Sequence, residues 1–109
     1  MINNTEDLKN YIISLLEDKK AENISVIALP PSNLLAKYMI IASGRSTKNV
    51  SSIAEFITSE IHANTSIDVG LEGFGQAEWA LVDCGDIIVH IFHPEARMRF
   101  KLEDLWGKK

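Results

Sequence analysis

The sequence predicts an α/β fold: one domain in which a mixed, roughly five-stranded sheet is flanked by helices. Three observations carry that reading. Two stretches repeat apolar residues at the helical period, Leu8, Ile12, Leu15 and Leu16 in the first and Val50, Ile53, Ala54, Ile57 and Ile61 in the second. Around them lie short β-branched runs bounded by Pro, Gly, Ser or Asp, the size and punctuation of strands. The chain has 109 residues, with no internal repeat and no low-complexity tract, which is the span of a single core.

The first helix is expected over residues 5–20, because Asn3, Asn4 and Thr5 are good N-cap residues, Glu6 and Asp7 suit its first turn and Lys19 and Lys20 its last. Tyr11 lies at the edge of its apolar stripe. Ile24 to Leu29 reads as a buried strand stopped by Pro30-Pro31, neither of which can donate to a ladder. A loop or short turn from Pro31 to Lys37 leads to the apolar run Tyr38 to Ala42, which ends at Ser43-Gly44. Ser46 or Thr47 caps the second helix, which ends near His62.

Residues 67–71 make a third strand, followed by Glu72-Gly73-Phe74-Gly75-Gln76, a polar segment expected to be mobile unless a partner orders it. Trp79 to Val82 and Ile87 to Phe92 flank Asp83-Cys84-Gly85-Asp86, where a tight hairpin needs a left-handed residue and Gly85 supplies one. Pro94 opens a last helix carrying Glu95, Arg97 and Phe100, and Leu102, Leu105 and Trp106 suit a final helical turn lying on the body. If the second strand, middle helix and third strand form a crossover, it is right-handed and those strands run parallel, while the last hairpin is antiparallel.

With 46% hydrophobic and 24% charged residues, the chain is neither disordered by composition nor membrane-spanning. Its formal net charge of -4 argues against direct nucleic-acid binding, which needs a basic face to displace counterions, and suits a basic protein partner. Cys84, the one cysteine, has no internal partner for a disulfide, which fits a reducing compartment. Neither a secretory signal nor an Arg-rich leader opens the sequence, so a cytoplasmic location is expected. Asn64-Thr65-Ser66 matches a glycosylation sequon, which matters only in the secretory pathway.

The residues also form an ordered series. Tyr38-Met39-Ile40-Ile41-Ala42-Ser43-Gly44-Arg45-Ser46 is followed by Val50 and Ile53-Ala54; then come Glu72-Gly73, Trp79, Asp83-Cys84-Gly85-Asp86-Ile87-Ile88-Val89-His90 and Leu102-Glu103-x-Leu105-Trp106. From Lys20 to Trp106 this series resembles the ribosomal silencing factors of the Iojap type, with Asn23, Ala28 and Lys37 standing where that family usually shows aspartates, Asn49 for a His and Phe100 for a Tyr. The resemblance implies one ribosomal silencing factor domain over residues 1–109. It also implies a translational repressor that binds large-subunit ribosomal protein L fourteen and sterically blocks the small subunit when nutrients are short. That is competition for a surface, without a chemical step or a cofactor.

Trp79 and Leu81 have strand spacing of two, so both side chains leave one face of the sheet as an apolar platform. Pro94, Arg97 and Phe100, on the helix that follows, border it, and Trp and Arg are favoured interface anchors. These five residues are the expected partner-binding set; the plain alternative is that Trp79 and Leu81 face the core. Glu72 and Glu78 sit beside the platform, either steering a basic surface or forming a solvated rim.

A second class competes. The Gly44-Arg45-Ser46-Thr47-Lys48 turn between strand and helix resembles that of nucleotidyltransferases, giving a nucleotidyltransferase-like core, yet no closely paired carboxylates follow to hold two metal ions. Asp83 and Asp86 read as turn chemistry. His90 and His93, three apart on a strand, point to opposite faces and do not share a metal, so His90 reads as a packed or hydrogen-bonded histidine. Cys84 has no base at fixed geometry for thiol catalysis. No catalytic, metal or cofactor residue is assigned, and a homodimer through the same sheet face is the remaining alternative.

Overall fold

The computed structural model describes residues 2–74 and 78–100, with the backbone alone at Phe74 and Phe100. The elements are α1 (Thr5–Asp18), β1 (Glu22–Ala28), β2 (Tyr38–Ser43), α2 (Thr47–Asn64), β3 (Gly70–Phe74), β4 (Trp79–Asp83), β5 (Ile87–Phe92) and α3 (Pro94–Phe100). The tail that carries Leu102, Leu105 and Trp106 lies outside the described residues, as do Gly75 and Gln76.

Local chemistry accounts for the helix ends. Asn4 caps α1 by accepting the Asp7 N–H at 2.8 Å, and Asp7 returns the favour by accepting the Asn3 N–H at 3.1 Å. The helix stops at Asp18, short of the expected lysines. Lys20 adopts φ 59° and closes a Schellman motif, its N–H donating to the Glu17 carbonyl and that of Ala21 to Leu16, both at 2.9 Å. Ser46 caps α2 by accepting the Asn49 N–H at 3.0 Å, and Asn49 accepts the Arg45 N–H at 2.9 Å.

The strands form one mixed sheet in the order β1-β2-β5-β4-β3. The β2–β5 pair is parallel and the other three pairs are antiparallel. The two strands joined through α2 are parallel, as expected of a crossover, but they are not neighbours. β3 runs in the same direction as β2 but at the far edge, because the hairpin β4–β5 occupies the places between them. Composition explains the choice: β5 is apolar except for His90 and pairs with β2 at the centre, where parallel strands are buried on both faces. β3, with two glycines and a glutamate, goes to an edge.

Two further expectations are corrected. β1 is an edge strand with exposed and half-buried positions, and no residue in it is fully buried; a short apolar run reads alike at a sheet's centre and at its rim. β3 spans residues 70–74 where 67–71 was expected, so Glu72 and Gly73 belong to a strand and not to a loop. β4 supplies the missing ladder for them, pairing Glu72 with Leu81 and Gly73 with Ala80.

The main core lies between one sheet face and the helices α1 and α2, joining Leu8, Ile12, Leu16, Val50, Ile53, Ile57 and Ile61 to Ile40, Val82, Val89 and Ile91. The intervening residues of β2 and β5 face the other way. There Met39, Ile41, Phe92 and, from α3, Ala96 form a second, smaller cluster, with Ile27, Leu29 and Trp79 packed at its margin.

Candidate partner-docking face

β4 alternates half-buried Trp79 and Leu81 with buried Ala80 and Val82. The second pair meets the main core, so period two sends the first pair to the opposite face, that of the second cluster. In register, Trp79 lies opposite Phe92 and Leu81 opposite His90; across β5, Phe92 faces Ser43 and His90 faces Ile41. The platform is thus a patch three strands wide.

Its centre is an aromatic group. The Trp79 indole stacks on Phe92 with centroids 5.1 Å apart and planes at 25°, and its Nε1–H donates to Nδ1 of His90 at 2.9 Å. The His90 imidazole in turn stacks with Phe92 at 6.0 Å and 12°. Indole N–H only donates, so the bond requires a lone pair on Nδ1 and a proton on Nε2. Burial pushes the His90 pKa down from 6.5 to about 4, which keeps the ring in that neutral form. His90 is therefore the hydrogen-bonded histidine expected from its place in an apolar strand.

α3 borders the patch because its start is tied to the start of β4. The His93 N–H donates to the Glu78 carbonyl at 2.8 Å, one residue before Trp79, and Arg99 pairs with the Glu78 carboxylate at 2.7 Å. Arg97 donates from Nη1 to the Ser43 hydroxyl at 2.8 Å, holding α3 to the end of β2. Of the five expected docking residues, Trp79 and Leu81 share the face opposite α1 and α2, half-buried; Pro94 is exposed at the opening of α3; Arg97 is half-buried and bonded within the chain; and the Phe100 side chain lies outside the described residues. Glu72 is exposed opposite Leu81, and Glu78 is engaged by Arg99. Sequence reasoning missed the floor of the patch, Met39, Ile41 and Phe92. The period-two spacing of Ile88, His90 and Phe92 was a usable signal, but it needed the strand order to give it a partner.

The family profile described as "Ribosomal silencing factor during starvation" matches residues 2–109. The chain belongs to the ribosomal silencing factor family. That family comprises ribosome-associated regulators of translation. A Zymomonas mobilis protein named Ribosomal silencing factor is 40% identical over 102 residues, covering 94% of this chain and 77% of that protein. A mouse protein named Mitochondrial assembly of ribosomal large subunit protein 1 is 31% identical over 100 residues, covering 89% of this chain and 44% of that protein. A crystal structure of a Chromobacterium violaceum protein superposes with a TM-score of 0.90 at 30% identity, covering 98% of this chain and 89% of that one.

Several motif residues of this silencing-factor chain have structural duties. A Cβ on Gly44 would lie 2.9 Å from Val50 Cγ2 and 3.0 Å from Val50 N, so glycine is required where β2 turns into α2. Asp83 accepts the Gly85 N–H at 3.0 Å, and Gly85 takes φ +82° in the hairpin. Asp86 accepts the Thr5 hydroxyl at 2.9 Å and lies 3.8 Å from Lys37 Nζ. The two aspartates serve the turn and its tie to α1, as expected of turn chemistry. His93 accepts the Glu95 N–H at 3.3 Å, a task separate from that of His90. Burial and, to a lesser degree, Asp83 push the Cys84 thiol up to about 12. Among the described residues no three His, Cys, Asp or Glu side chains gather where they could hold a metal ion, and no helix is long and apolar enough to cross a membrane.

Proposed function

We propose that this chain is a translational repressor that docks on large-subunit ribosomal protein L fourteen through the Trp79 face and sterically blocks association with the small subunit. The carrying observation is the half-buried Trp79 indole, stacked on buried Phe92 on the sheet face opposite α1 and α2. Large aromatic rings half-open to water on rigid strands are typical anchors of protein interfaces. Family membership supports a ribosomal partner, and the name of the mouse relative points towards the large subunit. Docking needs no chemical step. A body 35 × 34 × 20 Å across, seated where the small subunit approaches, obstructs joining by its bulk, and repression during nutrient limitation then follows from occupancy alone.

A contact of ordinary size buries about 1,200–2,000 Å², and one or two anchors dominate its free energy. Trp79→Ala is expected to weaken large-subunit binding by about 2 kcal/mol, roughly thirtyfold, with the circular-dichroism spectrum unchanged. Co-sedimentation with purified large subunits, alone and after adding small subunits, measures both binding and the fall in whole ribosomes. A folded variant that pellets like the wild type removes Trp79 from the docking surface.

A further inference from the structure

We propose that the free edge of β3 is a docking site of its own. It takes an extended, basic segment of a partner protein as a further strand, with an apolar side chain of that segment seated between the edge and α2. The site lies apart from the Trp79 docking reading and does not rest on it.

The two edges of the sheet differ in their defences. β1 is guarded: its pairing shifts between Glu22 and Ser25, where Asn23 takes φ 53°, and Pro30-Pro31 follow just past its end. β3 has no such guard. Its five residues pair one for one with β4, and none of them is Pro or Lys. From Gly70 to Gly73 they make no hydrogen bond beyond β4 among the described residues. Every second residue of the strand therefore turns an N–H and a C=O outward, the pattern that an added strand completes.

Gly73 supplies an independent observation. Its φ is not positive, and a Cβ built on it would meet nothing within 4 Å, so neither the backbone nor the packing of this chain requires glycine there. Glycine inside a strand weakens it. With no bulge in the β3–β4 ladder, the use left for it is room for another backbone or side chain.

That room is on the α2 side. Ala80 and Val82 face the main core, so their partners across the ladder, Gly73 and Leu71, face the same way. A hollow of about 180 Å³ opens there, lined by Ser51 and Ala54 of α2 and by Leu71, Gly73 and Ala80. Leu71 is 41% exposed, a large apolar side chain left partly in water. In an added strand every second side chain would come down beside it.

Charge selects the occupant. Glu55 and Glu72 line the same hollow, both exposed and neither in an ion pair, and no basic residue lines it among those described. A second copy adding its own β3 would gather these carboxylates from both chains along one seam, which like-charge repulsion opposes. Lys or Arg in the added strand is drawn in instead. Apolar residues alternating with Lys or Arg satisfy the edge, the hollow and the charge together.

The test is a titration of the ¹⁵N-labelled chain with a capped pentapeptide, Lys-Val-Lys-Val-Lys, followed through the backbone amide signals. Saturable shifts are expected at residues 70–73 and at Ser51 and Glu55, with a dissociation constant of about 1 mM, and none along β1. The same peptide N-methylated at every residue, or carrying Glu in place of Lys, should bind at least about tenfold more weakly. The first cannot donate to the edge, and the second meets like charge. Gly73→Val should fill the hollow and weaken binding about tenfold without lowering the melting temperature, since a Cβ there is unopposed and valine suits a strand. Glu55→Lys combined with Glu72→Lys, both on the surface, should abolish binding.

Shifts that do not saturate, that arise equally with the N-methylated peptide, or that survive Gly73→Val unchanged each overturn the proposal, because charge alone would then draw the peptide to the surface. Shifts at residues 70–73 that grow with protein concentration in the absence of peptide would make the occupant a second copy, and overturn it as well. Large-subunit binding by Trp79→Ala tests the other docking face separately, so either reading can fail alone.

Discussion

Acidification is expected to weaken the fold through His90 by an amount that a single variant can isolate. Burial holds the folded-state pKa of this imidazole at about 4, against 6.5 for the free group. Between those values the unfolded chain takes up a proton that the folded chain refuses. The contribution is therefore complete above the unfolded value and is lost progressively as pH falls towards the folded one. The whole gap is worth about 3 kcal/mol, at a slope of up to about 1.4 kcal/mol per pH unit. Urea unfolding of the wild type and of His90→Asn, followed by far-ultraviolet circular dichroism from about pH 7.5 to about pH 4.5, gives two stability curves. All groups other than residue 90 titrate in both, so their difference belongs to the imidazole. The wild type should lose roughly 2–3 kcal/mol relative to the variant across that range. A difference that stays flat would mean the imidazole titrates as if in water, and the buried neutral acceptor would have to be abandoned.

Two other perturbations read the supports of the docking face. Gly44→Ala drives a methyl group into Val50, a fully buried β-branched residue, and into its backbone nitrogen, so a loss of about 2 kcal/mol is expected, seen as a fall of roughly 10 °C in the melting temperature. An unchanged melting temperature would show slack between β2 and α2. Arg97→Met keeps the side chain's length but removes the donor to Ser43, whose hydroxyl is almost wholly buried, and should cost about 1 kcal/mol while speeding amide hydrogen exchange in α3. Exchange in α3 that does not change would mean that the backbone tie from His93 to Glu78 and the Arg99–Glu78 pair hold the helix without it.

Much of the fold was legible along the chain because its signals are local. Val50, Ile53, Ala54, Ile57 and Ile61 repeat at the helical period behind the Ser46 cap, and all five are buried in α2. The β4–β5 hairpin was legible because Gly85 sits at the one position that needs a positive φ. The end of α1 was less so: a lysine, Lys20, takes the left-handed cap usually given to glycine, and the pair of backbone hydrogen bonds around it depends on main-chain geometry that no side chain announces. The site divides in the same way. That Trp79 and Leu81 share a face follows from their spacing, whereas Arg97 proved to be bonded to Ser43, a partner 54 residues away in the chain.

The sequence by itself determined the helices, the hairpin, the common face of Trp79 and Leu81 and the family, since each depends on spacing within a few residues or on an ordered series of motifs. Only the tertiary structure decided that β5 lies between β2 and β4, that β1 and β3 form the edges, and that His90 receives the indole N–H. The physical reason is that strand neighbours are chosen by competition among distant segments for the most apolar pairing. A hydrogen bond between side chains on different strands exists only once that competition has set the register.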